Sequence, residues 1–414
     1  MSEFKNLPSG WRVVRLGDVF DFLKTYTNSR EILNDYDEIS YIHYGEIHKK
    51  YKFYLDFRVA SLPKIHQSKL GDKTEFIKNG DLVIADASED YIDIAKSVEI
   101  KNLEQKAVAG LHTFLLRDKG DYFADGYKGY ILYEPWVAKE LKKKATGISV
   151  LGISKSNLLN LKIKLPPLDE QEKIAEILSI WDEAINLTIN LIESKKQFKK
   201  ALMQNLLTAK IRFPQFKDEW RETKLGKILK ERKTYQNKGF DLEHVSLTKD
   251  GVVPKSERYD RDFLVKDDNK QYKITRLNDI CYNPANLKFG VICKNIYGDG
   301  IFSPIYVTFE CCNELDNDFA GFYLTQNDFI QKVRKFEEGT VYERMAVSPE
   351  DFLRFKIKLP NLKEQQKIAK ALTACDDEIN LLNLKLENLK KQKQGLMQKL
   401  LKGEIRTCYV KKAM

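Results

Sequence analysis

One motif occurs twice in this chain, and each copy opens a long helical pattern. The first copy, Leu-Pro-Pro-Leu-Asp-Glu-Gln-Glu-Lys-Ile-Ala, begins at Leu165, and the second, Leu-Pro-Asn-Leu-Lys-Glu-Gln-Gln-Lys-Ile-Ala, begins at Leu359. Aligned without gaps, the two segments agree at roughly half of their positions, which unrelated segments do not do by chance. Each pattern continues for about forty residues, so each predicts a helix roughly 60 Å long. The chain is therefore expected to fold as two related halves.

The repeat extends beyond the helices. Related strings, Trp-Arg-Val-Val-Arg-Leu-Gly and Trp-Arg-Glu-Thr-Lys-Leu-Gly, begin at Trp11 and Trp220, and the string Lys-Ile-Lys-Leu-Pro ends at Pro166 and again at Pro360. Alternating apolar residues before a proline predict a half-buried strand that leads into each helix. The segments between these shared ends, called head 1 and head 2, have little sequence in common. The predicted boundaries are 1–164 for head 1, 165–208 for the first helix, 209–358 for head 2 and 359–407 for the second helix.

Each head contains short β-like runs broken by Gly, Asn and Asp, together with short helical patterns. This mixture predicts two globular mixed α/β domains, so the fold class is α+β. Apolar residues of the long helices follow a heptad pattern, which favours a coiled coil. Because the linker 208–219 is too short to return along such a rod, the pair is predicted to be antiparallel and pseudo-twofold symmetric. The positions expected to pack between the helices are Ile174, Leu178, Trp181, Ile185, Leu202, Leu206, Ile368, Leu372, Ile379, Leu382, Leu386, Leu396 and Leu400.

Other residues of the helices deviate from this pattern. The closest contact between the helices is expected away from the polar residues that interrupt it, Thr188, Lys195, Lys199 and Lys393. Apolar residues outside the pattern indicate a second buried face and hence a partner chain; they are Leu187, Leu191, Phe198, Met203, Leu381 and Leu384. At the helix starts, Asp169 and Asn361 are predicted N-caps, each with a Glu three residues later.

Composition limits the possible functions. The formal net charge of +10 favours a polyanionic partner such as nucleic acid, although a lysine-rich surface also improves solubility. The six cysteines form no C-x-x-C pair, so a structural zinc site is not expected, and reduced thiols in the cytoplasm are the simpler interpretation. The sequence shows no export signal and no run of about 18 apolar residues, so no membrane span is predicted.

This arrangement resembles the specificity (S) subunit of type I restriction–modification enzymes over essentially the whole chain. The resemblance rests on the two Leu-Pro-x-Leu-x-Glu-Gln-x-Lys-Ile-Ala helix starts, on the strings at Trp11 and Trp220, and on the alternation of head and helix. It implies that each head is a target recognition domain. Together the two heads would recognise an asymmetric, two-part DNA sequence.

The resemblance also implies partners and cofactors. The partners would be double-stranded DNA, two methyltransferase (modification) subunits docked on the helix pair, and two restriction (translocase–nuclease) subunits in the full complex. S-adenosylmethionine, ATP and Mg²⁺ would bind to those subunits. This chain would then hold no cofactor or metal and carry out no catalysis.

Candidate DNA contacts combine cationic, aromatic and amide side chains, which hold phosphates or reach base edges. In head 1 they are His43, Tyr44, His48, Lys49, Lys50, Lys52 and His112. In head 2 they are Lys249, Lys255, Arg258, Arg261, Asn283, Asn286, Lys288 and Arg344. Each of these residues alone is more often a solvated surface residue. A metal site formed by His43, Glu46 and His48 is a weaker alternative.

Two other functions compete with DNA recognition. Asp86 followed by Glu99-Ile-Lys101 loosely resembles a metal-dependent nuclease motif, although such triplets are common in lysine-rich chains. The second alternative is a coiled-coil scaffold with no role in DNA binding. Cleavage of DNA with Mg²⁺ distinguishes the nuclease, and salt-dependent DNA affinity distinguishes the scaffold.

Overall fold

The structure is a computed structural model that describes residues 4, 7–91, 94–237, 242–255, 271–336 and 346–407. Its internal packing divides the chain into two compact units. Unit 1 comprises Met1–Ile189 and Lys385–Met414, and unit 2 comprises Asn190–Leu384. Each unit therefore contains one head and a part of each long helix. No helix in the described part of the chain has the length and apolar character needed to cross a membrane.

Head 1 in unit 1 is a mixed α/β domain. Its elements are β1 (Arg12–Arg15), α1 (Leu16–Val19), β2 (Phe20–Leu23), β3 (Ile39–Ile42), α2 (Tyr44–Lys49), β4 (Phe53–Asp56), β5 (Lys64–Ile65), β6 (Leu82–Ala85), β7 (Ala87–Ser88), β8 (Ser97–Lys101), β9 (Ala107–Ala109), β10 (Thr113–Asp118), α3 (Pro135–Lys144), β11 (Leu151–Gly152), α4 (Lys155–Leu159) and β12 (Lys162–Leu165). A five-stranded sheet has the order β2-β10-β6-β8-β4, and a three-stranded sheet has the order β5-β3-β9. The pairs β4–β8 and β3–β9 are parallel, so the sheets are mixed.

Head 1 is followed by the first long helix, α5 (Leu168–Leu206), which contributes residues to both units. Head 2 in unit 2 contains β13 (Arg221–Lys224), α6 (Leu225–Ile228), β14 (Leu229–Glu231), β15 (Tyr235–Asn237), β16 (Val245–Thr248), β17 (Gly251–Pro254), β18 (Gln271–Thr275), β19 (Ile280–Tyr282), β20 (Ile292–Lys294), β21 (Gly300–Phe302), β22 (Val307–Cys311), α7 (Asn317–Leu324), α8 (Asn327–Val333), α9 (Pro349–Arg354) and β23 (Lys356–Leu359). Its larger described sheets have the orders β14-β22-β19-β20 and β15-β18-β21, and all their neighbours are antiparallel. The second long helix, α10 (Leu362–Lys402), follows.

The shared ends of the heads form the same closure in both units. In head 1 the first strand, β1, pairs with the last, β12, and in head 2 β13 pairs with β23. Each first strand is followed by Leu-Gly, and close packing explains the glycine. A Cβ on Gly17 would lie 2.8 Å from the Leu159 side chain. Gly226 lies in the same way against Leu353. The predicted strand before each helix and the predicted α+β fold class are confirmed.

The two long helices begin three residues after the predicted boundaries at 165 and 359. The difference arises because Leu165 and Leu359 still end strands and prolines follow both of them. Asn361 is the predicted N-cap, and its Oδ1 accepts a hydrogen bond from the Glu364 N–H at 3.0 Å. The N-cap prediction for Asp169 is wrong, since this residue lies inside the first turn of α5. The second helix has no capping box, because the Glu364 carboxylate binds Arg212 and is not turned back to the cap.

The apolar core of each unit continues from the head into both helices. In unit 1, Ile174, Leu178 and Leu400 belong to the buried cluster of head 1, and in unit 2 Ile368 and Leu372 belong to that of head 2. Fully burying one such side chain contributes about 1.5–3 kcal/mol. Of the thirteen positions predicted to pack between the helices, those that are only partly buried are Trp181, Ile185, Leu202, Leu382 and Leu396.

Polar residues in the heptad pattern make direct contacts between the helices. In unit 2, Lys195 of α5 pairs with Glu378 of α10 at 2.7 Å, and Lys199 pairs with Asp376 at 2.5 Å. The partner number falls as the α5 number rises, so these helix segments are antiparallel. In unit 1, Lys393 is buried and pairs with Asp182. The expectation that close contact lies away from the polar positions is therefore not met at Lys393.

The Glu-Gln of each motif joins the helix start to its surroundings. Glu170 is buried and accepts a two-point hydrogen bond from Arg406, at 2.7 and 2.9 Å, and another from Trp11 Nε1 at 2.8 Å. Glu364 accepts the equivalent pair from Arg212, both bonds being 2.8 Å. The two units differ in the tryptophan, because Trp220 Nε1 is buried and has no hydrogen-bond partner among the residues that the structure describes.

The glutamines that follow bind the head through its backbone. Gln171 accepts from the Ala124 N–H at 3.0 Å and donates to the Tyr122 carbonyl at 3.1 Å. Gln365 accepts from the Asp316 N–H at 2.9 Å and donates to the Glu314 carbonyl at 3.0 Å. The two heads thus present the same pair of backbone groups, two residues apart, to the same glutamine.

Candidate nucleic-acid interface

Three segments of head 1 meet at one end of its five-stranded sheet. Strands β6 and β10 pair antiparallel with Ala85 opposite Thr113, so the next residues, Asp86 and His112, lie opposite each other where the pairing ends. The Asp86 N–H donates to the His112 carbonyl at 3.1 Å, and the Asp86 carbonyl accepts from the Ile153 N–H at 2.9 Å. The third segment is the start of α2, where the Tyr44 N–H donates to the Leu111 carbonyl at 3.2 Å. Backbone hydrogen bonds therefore fix all three segments.

His112 is held against Asp86 by its backbone conformation. Its φ is +56°, a left-handed value that is uncommon for a residue other than glycine. The His112 Nδ1 lies 3.1 Å from the Asp86 Oδ1, and the imidazole side chain is 52% exposed. Burial raises the pKa of the Asp86 carboxyl, while the nearby His112 opposes that rise. Such local strain is concentrated at functional sites, so it favours a functional role for His112.

Tyr44 lies at the centre of a cluster of imidazole rings. Its ring is 5.4 Å from His112 and 6.0 Å from His48, both edge to face, and 4.5 Å from His43. His48 is fixed by a hydrogen bond from its Nε2 to the Ala87 carbonyl at 2.7 Å. Within the described residues, neither the Tyr44 hydroxyl nor the His112 Nε2 has a hydrogen-bond partner. The cluster therefore presents two polar atoms that can bind a ligand, on segments that are fixed by backbone hydrogen bonds.

His43 and Asn283 are candidates that the structure places in structural roles. The His43 Nδ1 caps α2 by accepting from the Gly45 N–H at 3.1 Å, and its burial lowers the pKa of the ring, which keeps it neutral. The Asn283 Oδ1 accepts from the N–H groups of Ala285 and Asn286 at 3.1 and 3.3 Å. Both side chains are 6% exposed and use their acceptor atoms within the fold. A direct base contact by either residue is therefore disfavoured.

The candidate lysines of head 1 differ in the contacts that their ammonium groups make. Lys49 is exposed at the end of α2. Lys50 pairs with the buried Glu46 at 2.9 Å, and this hydrogen bond raises its pKa. The Lys52 ammonium lies over the rings of Phe53 and Tyr133, at 5.0 and 5.5 Å. Phosphate contact requires cationic side chains of this kind.

Head 2 presents its candidates on a turn and a hairpin. Lys249 is exposed in the β16–β17 hairpin, and Lys255 is partly buried just after it. Asn286 and Lys288 lie on the short 3₁₀ helix Pro284–Phe289, where Asn286 is partly buried and Lys288 exposed. The other candidates of head 2 lie outside the described residues; they are Arg258, Arg261 and Arg344.

Phe289 is a surface residue that the sequence interpretation missed. Its side chain is 56% exposed, with the Lys288 ammonium 5.1 Å from the ring, and Gly290 ends the turn at a φ of +78°. An exposed aromatic ring beside a cation suits stacking on nucleic-acid bases. The signal in the sequence was an aromatic residue placed directly between a lysine and a glycine.

The residues of the nuclease alternative are not brought together. Glu99 pairs with Leu82 across β6 and β8, and Asp86 lies four residues further along, roughly 13 Å away at 3.3 Å per residue. Glu99 is 1% exposed and accepts the N–H groups of Gly126 and Gly129 at 2.8 and 3.0 Å. The nuclease interpretation of Asp86, Glu99 and Lys101 is therefore wrong, because Glu99 is a buried structural carboxylate.

The alternative metal site at His43, Glu46 and His48 has no geometric support. Glu46 pairs with Arg30 at 2.5 Å and with Lys50, and the two histidines are occupied as described above. Across the described ranges, no cluster of three His, Cys, Asp or Glu is arranged to hold a metal ion.

The two repeats of head and helix match a known family. The sequence model of the "Type I restriction modification DNA specificity domain" matches the chain twice, over residues 8–195 and 217–391. The chain belongs to this family. It carries two DNA specificity domains, each formed by a head and the helix that follows it, and its role is in DNA-sequence specificity. The prediction of a type I specificity subunit is confirmed.

Individual relatives agree along the full length of the specificity domains. The chain is 26% identical over 447 residues to the specificity subunit named for the type I restriction enzyme MjaX of Methanocaldococcus jannaschii, which covers 98% of this chain and 96% of that protein. It is also 26% identical over 424 residues to the MjaVIII specificity subunit of the same organism, covering 97% and 94%.

Solved structures show the same fold. A chain from a study of complex assembly and conformational transition of the type I R-M system matches with a TM-score of 0.59 at 17% identity, covering 97% of this chain and 100% of that one. The S subunit from M. genitalium matches with a TM-score of 0.53 at 15% identity, covering 96% of both chains. These likenesses establish the architecture of the specificity domains.

Proposed function

We propose that this chain provides the DNA-sequence specificity of a type I restriction–modification complex. Each head recognises one half of an asymmetric bipartite site. The observation that supports this most strongly is the pairing of two specificity domains with unlike heads on matched helices. Two unlike heads suit two unlike half-sites. The helix pair sets the separation of the half-sites, because recognition on one face of B-DNA requires a fixed spacing.

The DNA contacts fall into two classes. Lys49, Lys50 and Lys52 of head 1 hold phosphates, while Tyr44, His48 and His112 lie where base edges are contacted. In head 2, Lys249, Lys255 and Lys288 hold phosphates and Asn286 is the candidate for a base contact. The net charge of +10 supports this arrangement, since phosphate neutralisation supplies most of the affinity for DNA.

The chain works without a catalytic site, inside a complex with two methyltransferase subunits and two restriction subunits. S-adenosylmethionine, ATP and Mg²⁺ belong to those partners, and the complex acts in the cytoplasm on the DNA there. Apolar side chains exposed on the helices support methyltransferase docking: Leu187 is 60% exposed and Leu381 is 66% exposed. Isolated apolar residues are common on surfaces, but several along one helix pair favour a partner.

Exchange of one head tests the modular assignment. We would first map the methylated bases in the genome of cells that carry the full system. Residues 12–152 would then be replaced by the equivalent segment of another specificity subunit. We expect the half-site of head 1 to change while the other half and the spacing stay the same. A change in both halves contradicts the assignment of one half-site to each head.

Docking and the absence of catalysis need separate tests. Leu187→Asp with Leu381→Asp should prevent co-purification of the methyltransferase subunits while leaving the circular dichroism spectrum unchanged. Lys200→Asp, at an exposed polar position of α5, is the matched control and should assemble normally. Incubation of the purified chain with the mapped DNA and Mg²⁺ should give no cleavage. Cleavage that persists through purification contradicts a non-catalytic role.

A further inference from the structure

The cluster of Asp86, His112 and Tyr44 can be assigned a more specific role, and the assignment rests on the proposed function of head 1. We infer that His112 recognises, through its Nε2, the exocyclic amino group of one base in the half-site of head 1. Asp86 positions His112 for this contact. The base is an adenine or a cytosine, since only these present an amino group in the major groove.

Asp86 determines which imidazole nitrogen of His112 carries the proton. A carboxylate only accepts hydrogen bonds, so the contact at 3.1 Å between Asp86 Oδ1 and His112 Nδ1 places the proton on Nδ1. In the neutral ring, the other nitrogen is then an acceptor. The Nε2 of His112, on a side chain that is 52% exposed, can then accept a hydrogen bond, and the amino groups of adenine N6 and cytosine N4 are the donors of the major groove.

The negative charge of Asp86 disfavours a phosphate beside His112. A carboxylate that is 27% exposed repels phosphate oxygens, so the position of Asp86 does not suit a contact with the DNA backbone. Phosphate contacts need cations such as the exposed Lys49, at the far end of α2. The chemistry of the cluster thus favours base edges, which are neutral and carry donors.

His112 is held in place by several contacts, and discrimination between bases requires a hydrogen-bonding atom in a fixed position. His112 is fixed by its strained backbone, by the carboxylate, and by the edge of the Tyr44 ring. Leu111, the residue before it, donates from its N–H to the Tyr41 hydroxyl at 2.9 Å, and Tyr41 is fully buried. A side chain with this support loses little conformational entropy on binding.

The test uses the full chain assembled with its methyltransferase subunits and synthetic duplexes that carry the mapped site. In the half-site assigned by head exchange, each adenine is replaced in turn by purine and each cytosine by 2-pyrimidinone, which lack the amino group. Dissociation constants are measured by fluorescence anisotropy at one salt concentration. We expect one replacement to weaken binding by wild type roughly tenfold.

Three variants identify the residue responsible. His112→Gly removes the ring and accepts a φ of +56° without strain, and it should abolish the penalty at that one position. Asp86→Asn keeps the shape but permits the other tautomer, so it should shift the preference there from an amino base towards guanine, whose major-groove edge carries only acceptors. Lys49→Ala is the control and should weaken binding to all duplexes equally.

The outcomes separate the inference from the proposed function. If wild type does not distinguish the mapped site from a scrambled duplex, the proposed function fails. If wild type discriminates but His112→Gly keeps every penalty, or loses affinity equally for all duplexes, His112 does not recognise an amino group and the inference is overturned. If Asp86→Asn keeps the wild-type preference, the role assigned to Asp86 is overturned.

Discussion

Lys393 and Asp182 form a buried ion pair inside unit 1, where the Lys393 ammonium lies 3.6 Å from the centre of the Phe53 ring. The Asp182 carboxylate also accepts a hydrogen bond from the Tyr130 hydroxyl at 2.7 Å. Each residue of the first helix corresponds to the residue 194 positions later, so the equivalent pair in unit 2 is Lys199 with Asp376. A charged pair at equivalent heptad positions favours one register over others, which is the best-attested role of buried polar groups in coiled coils.

Removing one partner of this pair should cost more stability than removing both charges. Lys393→Met leaves Asp182 charged and buried, and we expect it to lower the free energy of unfolding by about 3 kcal/mol. Lys393→Met with Asp182→Asn should return to within about 1 kcal/mol of wild type, because Asn still accepts from Tyr130. Urea denaturation followed by circular dichroism measures both. The matched control, Lys199→Met in unit 2, should cost about 1 kcal/mol or less, since its pair is more exposed. Equal losses in the single and double variants would refute this account.

The same lysine predicts a rise in stability at alkaline pH. Burial lowers the pKa of Lys393 to about 8 in the folded chain, although Asp182 opposes the shift, while an unfolded lysine keeps its ordinary pKa of about 10.4. Between these values the unfolded state binds more protons, so stability increases with pH. Relative to Lys393→Met, wild type should gain on the order of 2 kcal/mol between pH 7.5 and 10. Denaturation curves at four pH values test this, and a constant difference contradicts it.

The two arginine–glutamate pairs should differ in their effect on stability. Arg212→Ala leaves the buried Glu364 without its side-chain partner, whereas Arg406→Ala leaves Glu170 with the Trp11 hydrogen bond. We expect Arg212→Ala to cost about 3 kcal/mol, and Arg406→Ala to cost about 1–2 kcal/mol less. Differential scanning calorimetry of both variants gives the comparison. Arg212→Lys, which cannot form both hydrogen bonds, should fall between wild type and Arg212→Ala.

Salt dependence of DNA binding should identify the phosphate contacts of head 2. Each of Lys249→Ala and Lys288→Ala should reduce the slope of log affinity against log salt by roughly 0.9, because each releases one counterion fewer. The loss should be the same for the mapped site and for unrelated DNA. Lys200→Ala, on an exposed helix position, serves as the control and should leave the slope unchanged. If both head 2 variants keep the wild-type slope, neither lysine contacts a phosphate.

Features of the fold could be predicted from the sequence where a pattern of residues repeats. The presence of two long helices, the strands that end at Leu165 and Leu359, and the antiparallel segments follow from the doubled motif and its heptads, although both helices begin three residues later than predicted. Tyr44, His48 and His112 were predicted as DNA contacts from their residue types, and the structure brings these three side chains together; their contact with DNA stays a prediction. Periodicity and composition carry this information because they act over many residues.

Pairings between distant residues could not be predicted. Asp182 and Lys393 are 211 positions apart, and nothing in a heptad pattern states which polar residues face each other until the register is known. The alternative nuclease motif grouped Asp86 with Glu99, although the Glu99 carboxylate accepts from two glycine N–H groups and the Asp86 carboxylate lies beside His112. The burial of a carboxylate depends on such tertiary contacts, and local sequence does not specify it.

Gln171 and Gln365 attach to their heads through backbone atoms alone, at Tyr122 and Ala124 in one and at Glu314 and Asp316 in the other. A mutation of a side chain in these loops leaves the attachment unchanged, because every amino acid supplies a carbonyl and all except proline supply an N–H. This joint therefore tolerates different loop side chains, whereas the apolar core that each head shares with the helices, and the hydrogen bond from Tyr130 to Asp182, depend on side chains. The same glutamine can thus hold two loops of unlike sequence, at Tyr122 and Ala124 in one head and at Glu314 and Asp316 in the other.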